Sequence, residues 1–287
     1  MVKITCDSTA DLEALFRKRN IDVLPLIVTL GEKSYHDGVD VTPPDIFTFV
    51  KENNVLPKTA ARNEDDFYTF FKQYVDCGDS VIHFNISSKF SASNEMAKKA
   101  ASRLNNVFVI DSYNLSTGTG LLAMHACDMA EAGASAEEIV KSVNARIPYV
   151  QASFVVDTME YLRKGGRCSG IASFAASVLK IKPTILVKDG GMVVGKKYMG
   201  NFDKVILKYV ADTLNSFNNP DYTRIFVTHT YASDETVSSV IQEIKKLAPF
   251  KEIIETKAGC TVTSHCGKNT LGILYINDGF INPYSVK

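Results

Sequence analysis

Along the 287 residues, the spacing of apolar positions switches repeatedly between the period of a strand and that of a helix. Residues 3–6 alternate as a short strand does, and Ser8 or Thr9 stands where a cap belongs for a helix with Leu12, Leu15 and Phe16 on one face. An apolar run over 23–30 follows. Thr42-Pro43-Pro44-Asp45 opens a helix through Phe47 and Val50, because proline at a helix start gives up no hydrogen bond. Leu56-Pro57-Lys58-Thr59-Ala60 is extended, since proline excludes helix from the residue before it. Asn63 with Asp66 starts a helix whose Phe67, Phe70, Phe71 and Tyr74 recur at helical spacing, a stripe that reads as core before it reads as a cofactor box. Residues 80–86 form a buried strand, the serine-rich turn 87–93 enters a helix through Met96 and Leu104, and 107–111 is again a strand. Ser116-Thr117-Gly118-Thr119-Gly120 leads into a helix through Met129. This alternation predicts a parallel sheet covered by helices on both faces.

Past Pro148 the texture changes. Residues 150–156 read as a strand, 158–163 as a short helix, and Lys164-Gly165-Gly166-Arg167 as a tight turn before a helix of small residues over 169–179. Strands at 181–187 and 192–198 flank Lys188-Asp189-Gly190-Gly191, which has the chemistry of a hairpin turn. Helices over 202–214 and 233–247 alternate with strands over 224–229 and 253–257, and a last strand over 270–277 is entered through Ser264-His265-Cys266-Gly267. A hairpin together with crossover helices implies a mixed sheet. The expected architecture is α/β in two domains: residues 1–149 as a three-layer α/β/α domain on a parallel sheet, and residues 150–287 as a two-layer α/β domain on a mixed sheet. The length supports this, because 287 residues exceed the usual single core.

Hydrophobic residues make up 45% of the chain and charged ones 22%, so a buried interior is expected and disorder is not. The 32 basic and 32 acidic side chains cancel without forming a block of one sign, which argues against a nucleic-acid partner. The N-terminus alternates instead of forming a signal-peptide core, and no apolar run has the length of a membrane span; a cytoplasmic location without an integral membrane segment is expected. Cys6, Cys77, Cys127, Cys168, Cys260 and Cys266 are scattered and read as small apolar groups. Cys260, His265 and Cys266 cluster, but they lack the paired C-x-x-C halves of a structural zinc site.

Three hydroxyl-rich loops fall at C-terminal ends of strands, where open α/β sheets take their ligands: Asp7-Ser8-Thr9, residues 87–93 and residues 112–120, with Thr59 on an extended segment nearby. Hydroxyls and free amides suit an anion such as a carboxylate or phosphate. Taken singly, each serine or threonine is explained as the cap of its own helix, and only convergence would distinguish the two readings. Gly118-x-Gly120 lacks the remainder of a dinucleotide fingerprint, and the common phosphate-loop and nucleophile-elbow signatures are missing. His265 reads equally as a satisfied core histidine or as the orienter of a hydroxyl network. An enzyme, a phosphotransferase or hydrolase using His265 with a nearby cysteine or serine, is the alternative class.

Several blocks carry a resemblance: Ile4-Thr5-Cys6-Asp7-Ser8-Thr9-Ala10-Asp11-Leu12, Leu56-Pro57-Lys58-Thr59-Ala60, Ile86-Ser87-Ser88-Lys89-Phe90-Ser91, Val109-Ile110-Asp111-Ser112, Met159-Glu160-Tyr161-Leu162-Arg163-Lys164-Gly165-Gly166-Arg167 and Ser264-His265-Cys266-Gly267. In this order, and spanning nearly the whole chain, they resemble the bacterial DegV family of fatty-acid-binding proteins. The resemblance implies a non-catalytic lipid-binding protein that buries a long-chain fatty acid, such as palmitate, stearate or oleate, between its domains. It further implies a carboxylate held by Thr59 and Ser91, with Ala92 beside them and His265 supporting the network from the second domain. Arg167 matches the arginine that faces a fatty-acid kinase in members that present their ligand to one; neither a metal nor any other cofactor is implied. Two departures concern the head group: Phe90-Ser91-Ala92-Ser93 stands where the family has Leu-Ser-Gly-Thr, and Lys58-Thr59-Ala60-Ala61-Arg62 where it has Lys-Thr-Ser-Gln-Pro.

Overall fold

The computed structural model describes residues 1–169 and 181–280. The first strand, β1 (Val2–Asp7), ends in one turn of 3-10 helix, Ser8–Ala10. Ser8 and Thr9 therefore do not cap a helix through Leu12, Leu15 and Phe16: Asp7 caps the turn, accepting from the Thr9 amide at 3.1 Å. Asp11 and Glu13 adopt φ of 50° and 46°, which halts helical propagation and leaves only a short α1 (Ala14–Lys18) before β2 (Asp22–Leu24). Next come β3 (Ile27–Leu30), β4 (Lys33–His36), α2 (Pro43–Asn53) and β5 (Lys58–Ala60), whose strands form a small antiparallel sheet in the order β4-β3-β5. The sequence reading found β5 as extended chain but did not foresee this sheet.

The helices α3 (Glu64–Val75), α4 (Ser93–Ala101), α5 (Thr117–Glu131) and α6 (Ala136–Arg146) alternate with β6 (Ser80–Asn85) and β7 (Val107–Asp111). The parallel sheet runs β2-β1-β6-β7. Phe67, Phe71, Ala97 and Ala100 of α3 and α4 cover one face of it, while α5 and α6 cover the other through Leu122, Met129, Ile139 and Val143. This is the three-layer arrangement expected. Helix α6 was not read from the sequence, although its capping box of Ser135 and Glu138 stands there.

A seven-stranded mixed sheet follows, ordered β13-β12-β14-β8-β10-β11-β9. Its elements are β8 (Val150–Val155), α7 (Glu160–Gly165), β9 (Cys168–Ser169), β10 (Ile181–Lys188), β11 (Gly191–Met199), α8 (Phe202–Ser216), β12 (Arg224–His229), α9 (Asp234–Leu247), β13 (Glu252–Lys257), α10 (Cys260–Cys266) and β14 (Leu271–Ile276). The helix expected over 169–179 lies, but for its first residue, outside the described residues. Residues 264–267 are not a simple lead into the last strand: they end α10. Helices α8 and α9 cover one face of the sheet through Ile206, Val210, Val240 and Ile244. The other face meets α5, which is buried over 13 of its 15 residues and wedged between the two sheets. Gly120 lets α5 close on the turn after β1, since a Cβ there would sit 2.7 Å from Leu12 and 2.9 Å from the Ala10 carbonyl. The Gly118-x-Gly120 pattern thus has a packing cause. Among the described residues no helix is long and apolar enough to cross a membrane.

Candidate functional site

Pro57 keeps its neighbours extended, so Thr59 enters the small sheet opposite Val28 on β3. Its Oγ1 lies 2.9 Å from Nε2 of His265, a residue 206 positions away on α10. Ser91 comes from the turn after β6, where its Oγ accepts from the Ser93 amide at 3.2 Å and lies 2.9 Å from the Ser93 hydroxyl. That turn is pinned from three sides. The Ile86 amide donates to Asp7 (2.8 Å), the Ser88 amide to Asp111 (3.1 Å), and the Ser87 hydroxyl to the Gly190 carbonyl at the tip of the β10–β11 hairpin (2.6 Å). Ala92 precedes α4 with φ −75° and ψ −1°, a conformation open to any residue, so a methyl group replaces glycine there without strain.

Thr59, Ser91, Ala92, His265 and Arg167 all line one cavity of about 260 Å³. The rest of its wall is largely apolar, including Leu26, Ile86, Phe90, Leu115, Met192 and Val262. A smaller void of about 30 Å³ shares Leu115, Val262 and Cys266 as walls and reaches Phe154, Gly272 and Leu274. Of the three hydroxyl-rich loops singled out in the sequence, the one bearing Ser91 reaches the main cavity through polar groups. Asp7, Ser8 and Thr9 are absent from its described lining, and the loop over 112–120 contributes only Leu115. The hydroxyls in those loops are spent on the protein itself: Thr9 on Asp7, Ser8 on Asp37, Ser112 on Thr119, Ser116 on Asp11.

Burial holds the His265 imidazole down at about 4, with the nearby positive charge of Arg167 adding to the effect, so the ring is neutral at physiological pH. Its Nδ1 has no partner among the described residues. With the ring proton on Nε2 the imidazole donates to Thr59 and leaves the Thr59 hydroxyl proton free for an acceptor in the cavity; with it on Nδ1 the bond runs the other way. Gly165 packs against the ring edge: a Cβ there would stand 2.6 Å from Nδ1. Arg167 is exposed and folds back, its Nη1 donating to the Gly165 carbonyl at 2.7 Å. It is the one charged side chain in the described lining. The arrangement can receive an anion through neutral donors and an aliphatic group along the apolar wall.

The cysteines beside His265 are poorly suited to nucleophilic work. Burial raises the Cys260 thiol, whose Sγ donates to the Val41 carbonyl at 3.3 Å, and pushes Cys266 up to about 12, so both stay protonated. Among the described residues no group of His, Cys, Asp and Glu side chains is arranged to hold a metal ion. Sequence reasoning missed the apolar wall, because its members come from distant segments without a local signature.

An α/β/α layer joined to a mixed sheet, with a largely apolar cavity whose lining includes two hydroxyls and a neutral imidazole, defines a two-domain α/β protein. The chain belongs to the DegV family, whose model, described as that of uncharacterised proteins, matches residues 1–278. A DegV domain-containing protein of Clostridium acetobutylicum is 33% identical over 280 residues, covering 96% of this chain and 98% of its own. Among solved structures, a DegV family protein from Thermus thermophilus, described by its fatty acid binding, superposes with a TM-score of 0.87 at 26% identity, covering 96% of this chain and 99% of that one. A stearic-acid-binding protein from Eubacterium ventriosum gives a TM-score of 0.86 at 26% identity, covering 97% and 99%.

Proposed function

We propose that this protein binds one long-chain fatty acid in a tunnel between its two domains, with residues 1–149 supplying the carboxylate-binding loops and residues 150–287 covering the acyl chain. The observation that supports this most directly is that Thr59, Ser91 and His265, from three separate elements, line the same apolar cavity. Each buried methylene contributes about 0.8 kcal/mol, so a long chain gains on the order of 10 kcal/mol before ordering costs. Affinity resides in the tail. A carboxylate stripped of water must recover its hydrogen bonds, and the Thr59 and Ser91 hydroxyls offer them, with the His265 ring behind Thr59 and Ala92 beside the head group. The smaller void that shares Leu115, Val262 and Cys266 lies next to the cavity, where it could take more of the tail.

In this reading the protein is a carrier that presents a carboxylate to a fatty-acid kinase, and the exposure of Arg167 at the cavity supports it as the kinase contact. The binding claim is tested by denaturing the purified protein and weighing what it releases. About one fatty acid per chain is expected, or the uptake of one equivalent of added oleate by stripped protein. No released lipid and no uptake would reject the reading. For the kinase claim, Arg167→Ala is expected to impair phosphorylation of bound oleate by a fatty-acid kinase far more than it weakens binding.

A further inference from the structure

Helix α10 carries His265 near its C-terminus, yet Gly259, at its N-cap, has no side chain with which to cap it. The first amide protons must be met from elsewhere, and two buried carboxylates more than 200 positions away meet them. Asp11 accepts from the Gly259 amide at 2.8 Å. Asp37 accepts from the Cys260 amide at 2.7 Å on Oδ1 and from the Thr261 amide at 3.1 Å on Oδ2. Gly259 makes room for both: a Cβ there would stand 3.2 Å from an oxygen of each.

The two carboxylates differ in what their partners demand. Among the described residues the hydrogen-bond partners of Asp37 are all donors, since the Ser8 hydroxyl adds a third hydrogen bond at 3.0 Å while itself accepting from the Leu26 amide. Its three donors all point at the Asp37 carboxyl oxygens, at the helix end where negative charge is favoured. Asp11 shares its other oxygen with Ser116, a hydroxyl that can accept as well as donate, at 2.5 Å. Burial, and then the charge of Asp37, raises the Asp11 carboxyl well above the usual range.

Asp37 directly follows β4, and its own amide bonds the Leu26 carbonyl at 2.9 Å. Thr59 lies on β5 of the same three-stranded sheet. One small sheet therefore grips α10 at both ends, at its first amides through Asp37 and at its last turn through the Thr59–His265 hydrogen bond. Cys260 packs with Val28, Val41 and Ile46 between those two points.

We propose that Asp37 is a positioning residue for the head-group site: its carboxylate fixes the first turn of α10 to the sheet that bears Thr59, and so sets where the His265 imidazole meets Thr59 without touching the ligand. The consequence for affinity rests on the fatty-acid reading above; the consequence for His265 does not. In Asp37→Asn an amide group must face an N–H or O–H donor, and α10 loses its seat.

The test uses the full chain with oleate and its neutral counterpart oleyl alcohol as probes. Asp37→Asn is expected to weaken oleate roughly tenfold, the scale of a lost hydrogen bond to a charged group, while changing oleyl alcohol less than about twofold. In a His265→Ala background the same substitution should add no further loss. Equal weakening of both probes, an undiminished loss without His265, or unchanged oleate affinity would each overturn the proposal. A second measurement needs no ligand: ring nitrogen NMR of stripped protein should show the His265 titration rising from about 4 toward 6.5 in the variant as the imidazole leaves its buried seat. An unmoved titration also overturns it. If Asp37→Asn fails to fold, Ser8→Ala removes one of the three donors and is expected to produce a smaller loss of the same selectivity; a loss shared by both probes, or none, counts against the role. Should wild-type protein take up neither probe, the fatty-acid reading falls, and the His265 titration still decides the role of Asp37.

Discussion

Thr59 and Ser91 are neutral donors, so their removal should be read in the carboxylate and not in the fold. Thr59→Val with Ser91→Ala is expected to weaken oleate binding by at least about tenfold, measured by calorimetric titration, with the unfolding midpoint of stripped protein little changed. Unaltered oleate affinity in the double variant would remove the head-group assignment. Buried histidines make a second prediction at this scale. Burial holds His83, between Thr5 and Asn85, at about 3 and His125 at about 4, against an ordinary value of 6.5. Both rings are neutral when folded, so below pH 6.5 the unfolded chain takes up protons that the native protein refuses. Stability is thus fully present above that pH and declines as pH falls toward 4, by up to about 1.4 kcal/mol per unit for each ring. Urea unfolding at pH 7.5, 6 and 5 measures this, and a flat profile would contradict it.

Helix α7 and helix α10 meet through two glycines. Gly165 lies against the His265 ring, and Gly267, at φ +73°, lies where a Cβ would stand 2.6 Å from the Tyr161 ring. The two sites should respond differently. Gly165→Ala is expected to displace the imidazole and reduce oleate affinity, whereas Gly267→Ala meets both a disfavoured φ and an aromatic wall and should cost about 2 kcal/mol or more in urea unfolding. Local signals announced many elements here. The pairs Thr42 with Asp45 and Asn63 with Asp66 mark the starts of α2 and α3, and Asp189-Gly190 forms the hairpin turn with positive φ at both residues. Helix α10 escaped notice because its cap consists of Asp11 and Asp37, remote residues that supply no signal beside Gly259.

At the scale of the molecule, α5 joins the sheets into one continuous core, in which Ile4 and Phe84 of the first sheet share a cluster with Ala152, Phe226 and Leu274 of the second. Buried ion pairs reinforce the junction. Arg146 on α6 lies 2.7 Å from Asp221 and 2.8 Å from Asp278, and Arg224 on β12 lies 2.9 Å from Asp128 on α5. Stripped protein is expected to unfold in a single calorimetric transition, with equal calorimetric and van't Hoff enthalpies. Arg146→Met leaves the buried Asp221 and the partly buried Asp278 without their cation and should lower stability by about 3–5 kcal/mol. Two separate transitions in the wild type would show that the shared core does not couple the halves.

By itself the sequence determined the alternation of strands and helices and the change of texture near residue 150, because periodicity, caps and turn residues act over a few neighbours; the family was legible separately, in the resemblance of its motif blocks. The hydroxyls of Thr59 and Ser91 could be singled out among many, but residues 7–9 and 112–120 looked equally suited to an anion. Only the tertiary structure distinguished them by position, since whether a residue lines a cavity depends on partners far along the chain. The pairing of Thr59 with His265 across 206 positions, and the remote capping of α10, were decided in the same way.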